Sequence, residues 1–175
     1  MNVLAIGAHP DDVEIACSGT LAKCVKRGDK VIVCHASTGN LGHVVIPPDE
    51  LTTIRAEEAK KAGGLAGIEV IGGMFDDLNI FDGNKAARDK LVDVIKYAQP
   101  DFIITHNPDD YMPDHTAVSR LVFDASFAAT LPNYKSGYEK AAALVPIYYM
   151  DTLAGVDFQP TEYVDISAEI GLKLK

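Results

Sequence analysis

The chain has 175 residues, 47% of them hydrophobic, which is enough for one domain with a sizeable core and too apolar for a disordered segment. With 25 acidic residues against 16 basic ones the net charge is −9, the opposite of the balance that favours a nucleic-acid partner. No apolar run approaches the ~20 residues needed to cross a bilayer, and Met1-Asn2 leads into apolar sequence without the basic stretch of a signal peptide.

Val3-Leu4-Ala5-Ile6 is too short for a helix and ends at Gly7, so it reads as a buried strand. The strand breaks at His9-Pro10, where proline fixes its own φ and turns His9 away from helical geometry. Asp11 and Asp12 follow, then a helix predicted over 13–27 and stopped near Gly28. Val31-Ile32-Val33-Cys34 is a second strand. The long loop 37–49, with Gly39, Gly42 and Pro47-Pro48, has the character of a binding element. A helix is predicted over 50–65 with Arg55 near its start. A third strand over 68–71 leads through Gly72-Gly73 to an acidic loop at Asp76-Asp77, and a helix over 84–98 is stopped by Pro100.

Residues 101–105 form a predicted fourth strand that runs into His106-Asn107-Pro108-Asp109-Asp110-Tyr111-Met112-Pro113-Asp114-His115, followed by a helix over about 116–128. Later strands are expected at 144–150 and 162–166, with Ser167 capping a short last helix. Alternating strands and helices imply an α/β fold, a mainly parallel sheet with helices on both faces. Right-handed crossovers then set the first and fourth strands side by side, so that the 9–12 turn faces the 106–115 loop at the carboxyl edge where ligands bind.

His9 and Asp12, three residues apart on one tight turn, can hold one metal ion together, and Asp11 is left beside it to take a proton. An aspartate after proline is also a common helix cap, but capping accounts for one carboxylate and not for a histidine and two carboxylates in a row. His115 is the candidate third ligand. Two imidazoles and a carboxylate with an open position describe a catalytic zinc site, which implies metal-assisted hydrolysis of an amide or ester. Cys17, Cys24 and Cys34 are odd in number and form no C-x-x-C, so free buried thiols in a cytoplasmic setting are expected.

Ala8-His9-Pro10-Asp11-Asp12-Val13-Glu14 and Pro113-Asp114-His115 resemble the LmbE-like (PIG-L) zinc N-deacetylases, and Gly39 and Arg55-Ala56-Glu57-Glu58 also match family positions. The likeness runs over roughly residues 3–125. It implies a single Rossmann-like domain over 1–175, whose C-terminal end is shorter than is usual in the family. It also implies removal of acetyl from an N-acetylglucosamine-type sugar conjugate. His9, Asp12 and His115 would be ligands to zinc, or to another divalent ion such as Fe2+, with Asp11 as general base and Arg55 as a substrate-binding arginine. Family members are often homo-oligomers.

Two departures stand out. The family usually has histidine where this chain has Met112, and that histidine would stabilise the oxyanion or protonate the leaving amine. Asp114, counted with Asp11 as catalytic because it would orient that histidine, is expected to lose its partner. Asn40 stands where an acidic residue is common. The resemblance therefore implies a slowed enzyme, or alternatively a metal- and sugar-binding protein without turnover. His106 and His43 are the spare histidines near the site, each read here as an ordinary loop residue. Gly7-Ala8-His9-Pro10 in place of G-x-G-x-x-G argues against a dinucleotide enzyme.

Overall fold

The computed structural model describes residues 1–175. Eleven elements follow in order: β1 (Asn2–Gly7), α1 (Asp12–Ala16), α2 (Ser18–Lys26), β2 (Lys30–Ser37), α3 (Pro48–Ala66), β3 (Glu69–Phe75), α4 (Lys85–Ala98), β4 (Phe102–His106), α5 (Pro113–Ala128), β5 (Ile147–Met150) and α6 (Ile170–Lys173). The strands form one sheet in the order β3-β2-β1-β4-β5. Every pairing is parallel.

Alternation along β1 divides the interior in two. Leu4 and Ile6 enter a core with Leu91 and Ile95 of α4 and Leu121 and Val122 of α5. Val3 and Ala5 enter the other, with Val13 of α1 and Leu21 and Cys24 of α2. The central strands are buried on both faces, which is why they read as unbroken apolar runs. The three cysteines are free and buried as expected. Burial pushes the thiols of Cys17 and Cys34 up to about 12, so both pack as small apolar groups. No helix is long and apolar enough to cross a membrane.

Several boundaries differ from expectation, each for a local reason. The predicted 13–27 helix is two helices that break at Cys17. There Ser18 Oγ donates to the Glu14 carbonyl at 2.6 Å and Lys173 Nζ to the Glu14 and Ile15 carbonyls at 3.1 and 2.5 Å, so side chains take the acceptors a continuous helix would use. The third strand runs on through Gly72-Gly73 to Phe75. α5 begins at Pro113 rather than 116, with proline in the first turn where its missing N–H costs nothing, and this brings Asp114 and His115 into the helix.

The last strand starts at Ile147, since Pro146 has no N–H for the ladder and contributes only its carbonyl, which accepts from Ile103 at 3.0 Å. The strand expected at 162–166 does not form. That segment lies on α2 instead. Lys23 Nζ holds the Asp165 carbonyl at 2.7 Å, and Ile166 sits where a Cβ on Gly19 would meet it at 2.6 Å. The short α6 follows, tied by Lys26 to Glu169 at 3.3 Å.

Gly72 has φ +150, and a Cβ there would stand 2.1 Å from the backbone oxygen of His35. Gly83 has open space around its Cβ position. Gly72→Ala is expected to cost about 2–4 kcal/mol in urea unfolding, and Gly83→Ala under about 1 kcal/mol.

Candidate metal centre

The carboxyl edge of the sheet gathers side chains from two distant segments. His9, Asp11 and Asp12 come from the turn between β1 and α1. His106 ends β4, and Asp110, Asp114 and His115 lie between β4 and the first turn of α5. Because β1 pairs directly with β4, the two segments meet. The ring centroids of His9 and His115 are 5.4 Å apart. One ligand atom each from His9, Asp12 and His115 lies within 4.8 Å of the others, and all three residues are buried.

Asp12 is the hub. Its Oδ2 accepts the backbone N–H of His9 at 2.7 Å and stands 3.3 Å from His9 Nδ1 and 3.2 Å from His106 Nε2. Its Oδ1 stands 3.3 Å from His115 Nε2. Burial works to raise the Asp12 pKa, but three imidazoles outweigh it and hold the carboxyl well below the usual carboxylate range. His9 shows the reverse balance. Burial lowers its pKa, yet Asp12 and then Asp114 overcome this and the ring is pushed up to about 9.

Asp114 has a partner after all: Oδ2 lies 3.0 Å from His9 Nε2 and accepts the Leu78 N–H at 2.8 Å. It therefore fixes the far nitrogen of His9 and leaves Nδ1 facing Asp12, the carboxylate–imidazole arrangement that orients a metal ligand. Asp110 stands behind His115 in a similar position, Oδ1 to Nδ1 3.1 Å. Neither ring nitrogen of His115 has a hydrogen bond, although both are buried, because the neighbouring carboxylate oxygens sit off their bonding axes. A buried imidazole whose nearest acceptors are misaligned is poorly satisfied. A cation shared with His9 Nδ1 and Asp12 satisfies His115 Nε2, so the donor set fits a divalent metal of the zinc type.

Asp11 makes no capping hydrogen bond, although it is the N-cap of α1, so capping does not account for it. Its carboxylate is half open to solvent and paired with Arg55, Nη2 to Oδ2 at 2.6 Å. The surrounding protein raises its pKa, and the Arg55 charge opposes that. Arg55 also donates to the carbonyls of Pro10 and, at 3.5 Å, Gly39. The loop after β2 is fastened to the acidic loop by Asp77, which accepts from Ser37 Oγ at 2.8 Å and from the N–H groups of Gly39 and Leu41 at 2.9 Å. Asn40 completes the seam through Asp76 at 3.1 Å and the Asp77 N–H at 3.0 Å.

His43 is an ordinary loop residue whose Nδ1 accepts from Val45 and Ile46 N–H at 3.1 and 2.9 Å. His106 is not. It is buried, accepts the Ala8 N–H at Nε2 at 2.9 Å, and stacks on His115 with centroids 3.9 Å apart. Burial holds its pKa down against the pull of the Asp12 carboxylate. With Asp110 and His115 it forms a second set whose ligand atoms converge. Sequence reasoning passed over both His106 and Asp110. The available signal was their place in the same proline-bounded loop as His115.

The fold and this edge together define an α/β domain carrying a histidine–carboxylate metal-type centre. The chain belongs to the PIG-L family, GlcNAc-PI de-N-acetylase, which matches residues 4–126. A 4-oxalmesaconate hydratase from Pseudomonas putida is 25% identical over 95% of this chain and 68% of its own length. A 1D-myo-inositol 2-acetamido-2-deoxy-alpha-D-glucopyranoside deacetylase from Corynebacterium diphtheriae is 31% identical over 74% of this chain and 53% of its own. The crystal structure of N,N'-diacetylchitobiose deacetylase from Pyrococcus horikoshii superposes with a TM-score of 0.82 at 25% identity, covering 98% of this chain and 66% of that one. The chain thus spans between about half and two thirds of the length of these relatives.

In the metal-free fold the positive charge of protonated His9 adds stability through Asp12 and Asp114. Its raised pKa means that this contribution is complete below pH 6.5, its ordinary value, and is lost as pH rises through about 9. Chelator-treated protein is expected to lose on the order of 2–3 kcal/mol of stability between pH 6.5 and 9.5. His9→Gln should flatten that slope in denaturant titrations across the same range.

Proposed function

We propose that this chain is a metal-dependent hydrolase that removes acetyl from an N-acetylglucosamine-type sugar conjugate. The convergence of His9, Asp12 and His115, with both His115 nitrogens buried and lacking an aligned hydrogen bond, is the observation that supports it most. The family and its deacetylase members supply the substrate class. A divalent ion, zinc in our reading, would polarise the amide carbonyl and lower the pKa of water toward ~7. Asp11 takes the proton of the attacking water as the new C–O bond forms. The same proton can pass to the nitrogen as the C–N bond breaks, giving acetate and a free amine.

Asp114 holds His9 in the tautomer that leaves Nδ1 for the ion. Met112 cannot donate to the oxyanion, so turnover is slow relative to an enzyme with histidine there, by about 10²–10³-fold. The three buried thiols favour a reducing, cytoplasmic setting.

The hydratase relative, with its wide coverage of this chain, favours a second reading in which the same centre adds water to an oxalmesaconate-type substrate. Met112 favours a third, binding of metal and sugar without turnover. Metal analysis together with parallel assays of acetate release and of hydration separates the three. Stoichiometric divalent metal, acetate release from an N-acetylglucosamine conjugate and a loss of about 10²–10⁴-fold in Asp11→Ala are expected. Folded protein that takes up no metal, or Asp11→Ala with unchanged activity, would overturn the proposal. Met112→His is expected to raise the rate by about 10²–10³-fold.

A further inference from the structure

Four residues other than glycine hold a positive φ: Asp11 at 138, Leu78 at 60, Gln99 at 45 and Asp157 at 46. Such backbones are disfavoured for residues with a Cβ and persist only where the surroundings hold them. Gln99 is the left-handed C-cap of α4, and aspartate tolerates this region better than most residues. Leu78 is the one apolar residue of the set, at a position where glycine would carry no strain. Core packing does not explain it, because Leu78 is 61% exposed.

The Leu78 backbone is fastened to the metal centre. Its N–H donates to Asp114 Oδ2 at 2.8 Å, and Asp114 in turn meets His9. The preceding residue, Asp77, accepts the Leu41 N–H at 2.9 Å, so the loop after β2 lies alongside. Leu41 is exposed as well, and the same loop goes on to Val44 and Val45, 99% and 80% exposed. From the loop between β4 and α5, exposed Tyr111 sets its ring edge-on to His115 with centroids 5.8 Å apart. A lone exposed leucine is ordinary, but apolar side chains gathered at the mouth of a polar centre mark a ligand surface.

We propose that these side chains form an apolar rim that receives a hydrophobic chain of the substrate, with Leu78 as the specificity-determining contact. The amide of residue 78 serves Asp114 whatever the side chain, so what leucine adds over glycine is a surface for an apolar group. The substrate class narrows from a sugar conjugate to one bearing such a chain, on its aglycone or in its acyl group. This rests on the hydrolase reading above for the chemistry, whereas the preference for a chain is a matter of binding alone.

Three probes test it: the methyl and hexyl glycosides of N-acetylglucosamine, and the methyl glycoside of N-hexanoylglucosamine. Binding is read by calorimetry in metal-loaded Asp11→Ala, where cleavage is slowed. One of the two hexyl-chain probes should bind about 10-fold tighter than the methyl N-acetyl reference, and which one it is assigns the chain to the aglycone or to the acyl side. Adding Leu78→Gly should cut that ratio below about threefold. Leu78→Asn, which also suits a positive φ, serves as the second variant should the glycine impair folding. In the parent background both variants are expected to melt no more than about 2 °C below the unaltered protein. No preference for either chain, a ratio unchanged by both substitutions, or drops of more than about 5 °C in both, which would give Leu78 a packing role, would each overturn the proposal. The parent's kcat/KM for amine release should rank the probes in the same order. Should the parent release no amine from any of them, the hydrolase reading fails, and the calorimetric ratios still decide the rim.

Discussion

A single buried carboxylate organises the carboxyl edge of this sheet. Asp12 is enclosed by His9, His106 and His115 and receives the amide N–H of His9, so groups from both paired strands and from α5 converge on its charge. Isolated in an apolar interior, such a charge would be prohibitively costly. Surrounded by imidazoles it becomes the fixed negative point to which a cation is drawn. The strand pairing, the proline turn after β1 and the early start of α5 are the conditions under which those rings can reach it.

Around that point the imidazoles are themselves backed by acids. Asp114 lies behind His9 and Asp110 behind His115, each on the side away from Asp12. Leu78 donates to Asp114 and Met112 to Asp110, at 2.8 and 3.1 Å, so loop backbone fixes both carboxylates. The rings are thereby aimed before any ligand arrives, and an aimed ring loses less entropy on coordination. Asp11 differs in kind. It is open to solvent, strained in its backbone and steadied by a charge from α3, which suits a group that must exchange protons.

The parts of this arrangement that could be read from sequence are those encoded locally. A short apolar run broken by His9-Pro10, with two acids after it, announces a strand end bearing ligands. Strict alternation of strands and helices announces a parallel sheet with β1 beside β4. His106 and Asp110 were harder to read, because sharing the proline-bounded loop of His115 does not by itself tell a loop residue from one that turns inward against a strand a hundred positions away. The partner of Asp114 was misread for the same reason, since His9 is distant in sequence and adjacent in space. The stretch 162–166 resembles a strand, yet Ile166 packs at Gly19 of α2 and the segment joins no ladder. Arg55 reads in the sequence as a lone helix charge, and its pairing with Asp11 and with the Pro10 and Gly39 carbonyls depends on segments distant in the chain.

The hydrogen bond from Ala8 to His106 crosses 98 positions of chain. Contacts of such separation form late in folding, because the entropy of closing so large a loop must be met before they return any stabilisation. Helical pieces can assemble early, whereas the seam between β1 and β4 has to wait for the crossover through α4. Coordination therefore depends on contacts that close a long loop, and a collapsed intermediate lacking them would hold its chelating groups apart. Occupancy of the centre by an ion would thus register that the topology has closed.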